Sequence, residues 1–145
     1  MSASTVTVRT VAAEDEREAV FALRVRVFVA EQGVPMDVEM DELDAGADHF
    51  AAWLGDRVVG AGRLVRDGAT GVLGRLAVAR EARGTGLGAA LVAEIERRAA
   101  ECGLDAVELH AQVHARGFYE RLGYTSEGDV FDEAGIAHIT MRKSM

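Results

Sequence analysis

The chain holds one cysteine, Cys102, in 145 residues. With no second thiol, neither a disulfide framework nor a multi-cysteine zinc site can form within it. Cys102 falls on the apolar face of a helical pattern and reads as a core residue. Long apolar runs are missing too. No stretch of 18 or more apolar residues reads as a membrane helix, and Met1 to Arg9 lack the apolar centre of a signal peptide. The expectation is therefore a cytoplasmic protein with no membrane partner. Positive charge is scarce: 16 Lys and Arg face 24 Asp and Glu, a net charge of −8. Such a chain lacks the basic footprint of a nucleic-acid binder, and its field mildly favours small cationic partners. There are no repeats, linkers or low-complexity segments. The whole span, 1–145, is expected to form one domain, long enough to bury its own core.

The apolar pattern divides the chain into short elements. Thr5 to Arg9 alternates and is β-branched, as a strand requires. Ala13 to Val29 carries a helical stripe of Val20, Leu23 and Val27, with Glu14, Asp15 and Glu16 in the first turn, where the helix dipole favours acids. Gly33 and the single proline, Pro35, stop it. Met36 to Asp48 is acidic and aperiodic, and is expected to be a surface loop with at most a helical turn. His49–Leu54, Arg57–Arg66 and Thr70–Val78 are three strands joined by turns so short that they must be antiparallel neighbours. Leu87, Leu91, Ile95, Ala99 and Cys102 share one face of a long helix closed by Gly103. Ala106–Ala111 is a strand, Arg116–Leu122 a short helix, and Thr125–Phe131 with Ile136–Arg142 a final hairpin.

Between the third strand of that meander and the long helix lies Arg83-Gly84-Thr85-Gly86-Leu87-Gly88. Three glycines remove side chains that would keep a large anion from the main-chain N–H groups, and the helix start adds a positive dipole end. This is phosphate-binding architecture. A P-loop would end in Gly-Lys-Ser/Thr, and here the sequence is Leu87-Gly88-Ala89, which excludes it. A dinucleotide fingerprint fits Gly84-x-Gly86-x-x-Ala89, with Glu108 about 20 residues on, so a nicotinamide-dependent oxidoreductase stays open as an alternative. Against it, that fingerprint belongs on the first strand of repeated βαβ units, and four strands precede this loop.

Arg83-x-x-Gly86-x-Gly88 resembles the Arg/Gln-x-x-Gly-x-Gly/Ala pattern of the GCN5-related N-acetyltransferases. Phe118-Tyr119-Glu120-Arg121-Leu122-Gly123-Tyr124 resembles that family's Phe-Tyr-x-x-x-Gly-Phe/Tyr segment. The two occur in the right order and spacing, and the likeness extends over nearly the whole chain. It is nearest to the ElaA-like branch, through Leu23 to Gln32, Asp41-Glu42-Leu43-Asp44, His110-Ala111-Gln112 and Gly135 to Met141. One departure is His114, where many members carry Asn. The resemblance implies an α/β (α+β) fold: a mixed, mostly antiparallel sheet of about seven strands, helices on both faces, and a splayed parallel strand pair, Thr70–Val78 beside Ala106–Ala111. It also implies acetyl-CoA as co-substrate. The pantetheine arm would pair along Leu76, Ala77 and Val78, and the pyrophosphate would rest on Arg83, Gly84, Thr85, Gly86, Leu87, Gly88 and Ala89.

Acetyl transfer to an amine sets two proton problems. An alkylammonium with pKa about 10 is only about one part in a thousand neutral at pH 7, a penalty of about 4 kcal/mol. A base is therefore expected. Glu31, where the first helix ends, is the first candidate, with Asp41 and Glu42 as alternatives that can also serve to attract a cation. The departing thiolate needs an acid, and the resemblance places Tyr119 near the sulfur. No nucleophile is evident, so transfer is expected to be direct, in a ternary complex. His110 and His114 are four apart but lie in strand-like sequence, so no metal site is expected; His110 and His138 are candidates for lining the acceptor pocket. The acceptor is a small-molecule amine, a peptide N-terminus or a lysine. A non-catalytic acyl-CoA sensor also fits the pattern, and a homodimer is compatible with it.

Overall fold

The computed structural model describes residues 6–145. Seven strands form one sheet: β1 Val6–Thr10, β2 Asp48–Leu54, β3 Arg57–Asp67, β4 Thr70–Val78, β5 Ala106–Gln112, β6 Thr125–Glu133 and β7 Ile136–Ser144. Their order across the sheet is β1-β2-β3-β4-β5-β7-β6. Every neighbouring pair is antiparallel except β4 and β5, which are parallel. The expected mixed sheet is thus observed. Of the first expected strand, Thr5 lies outside the described residues. The dinucleotide alternative loses its context, because the glycine loop follows β4, the last strand of an antiparallel meander, rather than the first strand of a doubly wound sheet.

The helices are α1 Glu14–Arg24, α2 Met36–Glu39, α3 Leu87–Glu101 and α4 Arg116–Arg121. The predicted stripe of α1 is the buried one: Val20, Leu23 and Val27 are each under 5 % exposed. Glu16 closes its start, accepting from the Ala12 and Ala13 N–H groups. Beyond Arg24 the helix does not stop but widens into a π-helical segment, Val25–Glu31. There the Gln32 N–H reaches back five residues to the Val27 carbonyl at 3.2 Å. Such widened turns are rare and recur at functional sites. In α3, Leu87, Leu91, Ile95 and Ala99 are buried. The helix lies close on β3 because the sheet is pared down beneath it: a Cβ at Gly62 would sit 2.7 Å from Ile95 Cδ1. Arg63, the next residue, points to the other face and meets the acidic segment.

That segment corrects the sequence reading. Met36 to Asp48 lies largely at the surface, as expected, but two of its acids are not solvated. It folds into α2 and a 3₁₀ turn, Glu42–Gly46, and buries Glu39 and Asp44 at 2 % and 8 % exposure. Both are held by Arg24, itself 1 % exposed, with Nε 2.7 Å from Glu39 Oε1 and Nη1 2.8 Å from Asp44 Oδ1. Arg63 bonds Asp41 at 2.7 Å and Asp44 at 3.1 Å. Arg75 bonds Asp41 at 3.2 Å and the carbonyls of Val38 and Glu39. Three cations from α1, β3 and β4 therefore meet three acids.

Candidate active site

Pairing between β4 and β5 runs only from Thr70↔Ala106 to Leu73↔Leu109. Both strands continue, β4 to Val78 and β5 to Gln112, so a V opens between them with its apex at Leu73 and Leu109. A bulge in β4 accompanies the opening. Ala77 pairs with Ala61 and Gly74 with Arg63, which leaves Arg75 and Leu76 opposite the single residue Gly62. Two residues against one bend a strand and re-aim its side chains. Arg75 takes φ +53°, a left-handed conformation rare for a side chain of its size. Its three bonds to the acidic segment hold it there. Along Leu76, Ala77 and Val78, β4 pairs with β3 at Ala61 and Gly60, while the edge facing β5 stays open.

The glycine loop closes the mouth of the V. Gly86 stands before α3 with φ +83°, in the left-handed region. Among the described residues, the N–H groups from Gly84 through Ala89 have no protein acceptor. A row of open amides at the start of a 15-residue helix has the geometry to receive an anion. Gly88 is small for a different reason: a Cβ there would lie 3.2 Å from the Phe118 ring, so the glycine lets α3 and α4 meet.

Arg83 spans the mouth. Its Nε donates to the Val78 carbonyl at 3.0 Å and its Nη2 to Glu31 Oε2 at 2.8 Å. Arg80 adds a longer contact to the same oxygen, 3.6 Å. The hydrogen bond from Arg83 holds the Glu31 carboxyl below the usual glutamate range. A carboxylate paired in this way is a weaker proton acceptor than a free one. Beside it, Gln32 Oε1 accepts from Gln112 Nε2 at 2.9 Å. The π-helical end of the first helix therefore touches both arms of the V.

Tyr119 on α4 is 8 % exposed, and its ring meets Phe118 edge-on at 4.9 Å and Tyr124 at 5.9 Å. Its hydroxyl has no protein partner among the described residues, and burial pushes the phenol up to about 12. Of the alternative bases, Asp41 is tied to Arg63 and Arg75. Of the other histidines, His110 Nδ1 lies 3.0 Å from Glu133 Oε1, and His138 Nε2 lies 3.6 Å from Glu133 Oε2. Phe131 packs against both rings. The bridging Glu133 and the Gln32–Gln112 pair were not singled out by the sequence, because each depends on contacts between distant elements. A surface groove beside α1, lined by Asp15, Leu23, Arg26, Trp53 and Arg57, shares no residue with this cleft.

Residues 11–145 match the acetyltransferase (GNAT) domain family. The N-acetyltransferase YjcF of Bacillus subtilis, itself uncharacterized, is 37 % identical over 132 residues, 90 % of this chain and 94 % of that protein. ElaA of Escherichia coli is 32 % identical over 88 % of this chain and 86 % of its own length. The crystal structure of ElaA superposes with a TM-score of 0.86 over 96 % of this chain and 99 % of that one, at 25 % identity. A candidate N-acetyltransferase from Lactobacillus plantarum reaches a TM-score of 0.90 at 30 % identity, covering 96 % of this chain and 97 % of its own.

Proposed function

The chain belongs to the GNAT family of acetyltransferases, whose co-substrate is acetyl-CoA, and we propose that it moves the acetyl group directly to a primary amine in a ternary complex. The observation that carries this reading is the open V between β4 and β5, with the uncapped amides of Gly84 to Ala89 at its mouth. An extended pantetheine arm satisfies the unpaired edge of Leu76 to Val78 as an added strand would. The pyrophosphate then occupies the loop, with Arg83 beside it. An N–H near Val78 is placed to donate to the thioester oxygen as charge develops there.

In this scheme the neutral amine attacks the thioester carbon, the C–N bond forms, the C–S bond breaks after the tetrahedral stage, and the excess proton left on nitrogen passes through water to restore the Tyr119 phenol. Tyr119 gives the departing thiolate its proton. A phenol raised to about 12 is a fully protonated donor at any ordinary working pH. The sequence offered Glu31 as the base. Its contacts favour a different task, holding Arg83 in place for the pyrophosphate.

Thiol release from acetyl-CoA with a panel of free amines, polyamines, amino sugars and peptides tests the activity. Binding of acetyl-CoA without turnover on any of them would make the chain a sensor instead. Tyr119→Phe is expected to lower kcat by roughly 10²-fold while acetyl-CoA affinity stays within about twofold. If only KM for acetyl-CoA rises, the tyrosine positions the donor and does not protonate the thiolate. Because burial raises its pKa, Tyr119 should add no basic limb to the pH–rate profile below about pH 11.

A further inference from the structure

We propose that His110, oriented by Glu133, is the catalytic base that takes the proton from the incoming ammonium. This inference rests on the transfer reading above and names the group that reading leaves open. His110 is the first residue of β5 past the apex of the V, since the last β4–β5 pair is Leu73↔Leu109. Its neighbours Leu109 and Ala111 point into the core at 1 % exposure. Strand alternation turns His110 and Gln112 to the opposite face. Gln112 on that face bonds Gln32 at the end of the first helix. His110 therefore stands on the wall of the cleft between the apex and the Gln32–Gln112 bridge.

The ring is held in one useful tautomer. Glu133 Oε1 lies 3.0 Å from Nδ1, and a carboxylate only accepts, so Nδ1 carries the hydrogen and the neutral ring keeps its lone pair on Nε2. Phe131 meets the ring edge-on at 5.1 Å and fixes its plane. His138 is not equivalent. It is 7 % exposed, and its Nδ1 donates to the Ile136 carbonyl at 2.7 Å. Charged groups near His110 on this face of β5, β6 and β7 include Glu108 with its partner Arg142, and Glu127, which lies across β7 in the row of His110 and Thr140. The proton passes from the ammonium nitrogen to His110 Nε2, the freed lone pair attacks the thioester, and the imidazolium stays paired with Glu133 until water takes the proton.

The test compares His110→Gln with the wild type on an alkylamine and on an aromatic amine that is already neutral at pH 7. The expected result is a roughly 10²-fold loss in kcat/KM for the alkylamine at pH 7, with a much smaller loss for the aromatic amine. The acidic limb that a base of this kind gives the alkylamine pH–rate profile should vanish. The thermal shift given by acetyl-CoA should not change. Glu133→Gln should lower kcat/KM for the alkylamine more than for the aromatic amine, since it weakens the acceptor that selects the reactive tautomer. Equal losses on both amines, or a variant that keeps both rate and limb, would overturn the role of His110 while leaving acetyl transfer standing. A wild type inert on every amine would overturn the transfer reading and this inference together.

Discussion

Arg24→Ala should lower the stability of the fold by about 3–5 kcal/mol, read as a shift of the urea midpoint with unchanged slope. Arg24 is 1 % exposed and bonds Glu39 and Asp44 through four contacts between side chains. Removing the guanidinium leaves two carboxylates buried. Arg75 at 3.5 Å from Glu39 and Arg63 at 3.1 Å from Asp44 compensate only in part. The attraction between the ions is offset by the cost of drying them, so the network's net contribution is small, yet breaking it from one side is costly. The same network sets an acid limit. Burial pushes the Asp44 carboxyl up, but hydrogen bonds from Arg24 and Arg63 outweigh it and hold the group at about 2, against an ordinary value of 3.8. A depressed carboxylate contributes stability above its unfolded pKa and loses it as pH falls through the folded one. The melting temperature should therefore drop between about pH 4 and pH 2, and Asp44→Asn should flatten that fall while lowering the plateau. A melting temperature indifferent to pH in that window would remove Asp44 from the account.

That network also marks where sequence reading ends. The stripes of α1 and α3, the meander and the final hairpin were legible because apolar period and turn residues are local signals. The glycine loop was legible because backbone exposure before a helix needs small residues in a row. Six acids between Met36 and Asp48 look solvated until their partners are known, and Arg24, Arg63 and Arg75 come from three other elements. The π-helical turn at Val25–Glu31 leaves no mark on an apolar stripe, yet it sets where Glu31 and Gln32 emerge. Glu31 illustrates the same limit. A carboxylate at a helix end is a candidate base on sequence alone, and only the fold adds that Arg83, 52 residues away, lies 2.8 Å from it. The bulge at Arg75 was likewise hidden, because the residue that takes the left-handed turn is an arginine, held by remote carbonyls rather than freed by glycine.

Gly86→Val should weaken acetyl-CoA binding by well over tenfold, which is more than about 1.4 kcal/mol of binding energy. Two effects are folded into that number, and a control separates them. Gly86 has φ +83°, so any side chain there strains the backbone by roughly 1–2 kcal/mol, more for a branched one. Nothing lies within 4 Å of the position a Cβ would take, so the protein itself does not resist the added atoms. The loss must then come from the space in front of the amides, where the pyrophosphate is proposed to sit. Gly103 closes the other end of α3 with φ +74° and equally open surroundings. Gly103→Val therefore carries comparable strain with no anion site beside it. Both variants should lose similar stability in urea, and only Gly86→Val should lose the thermal shift that acetyl-CoA gives. Equal acetyl-CoA affinity in the two variants, both folded, would mean that the cradle lies elsewhere and that Arg83 is tied to Glu31 for structural reasons alone.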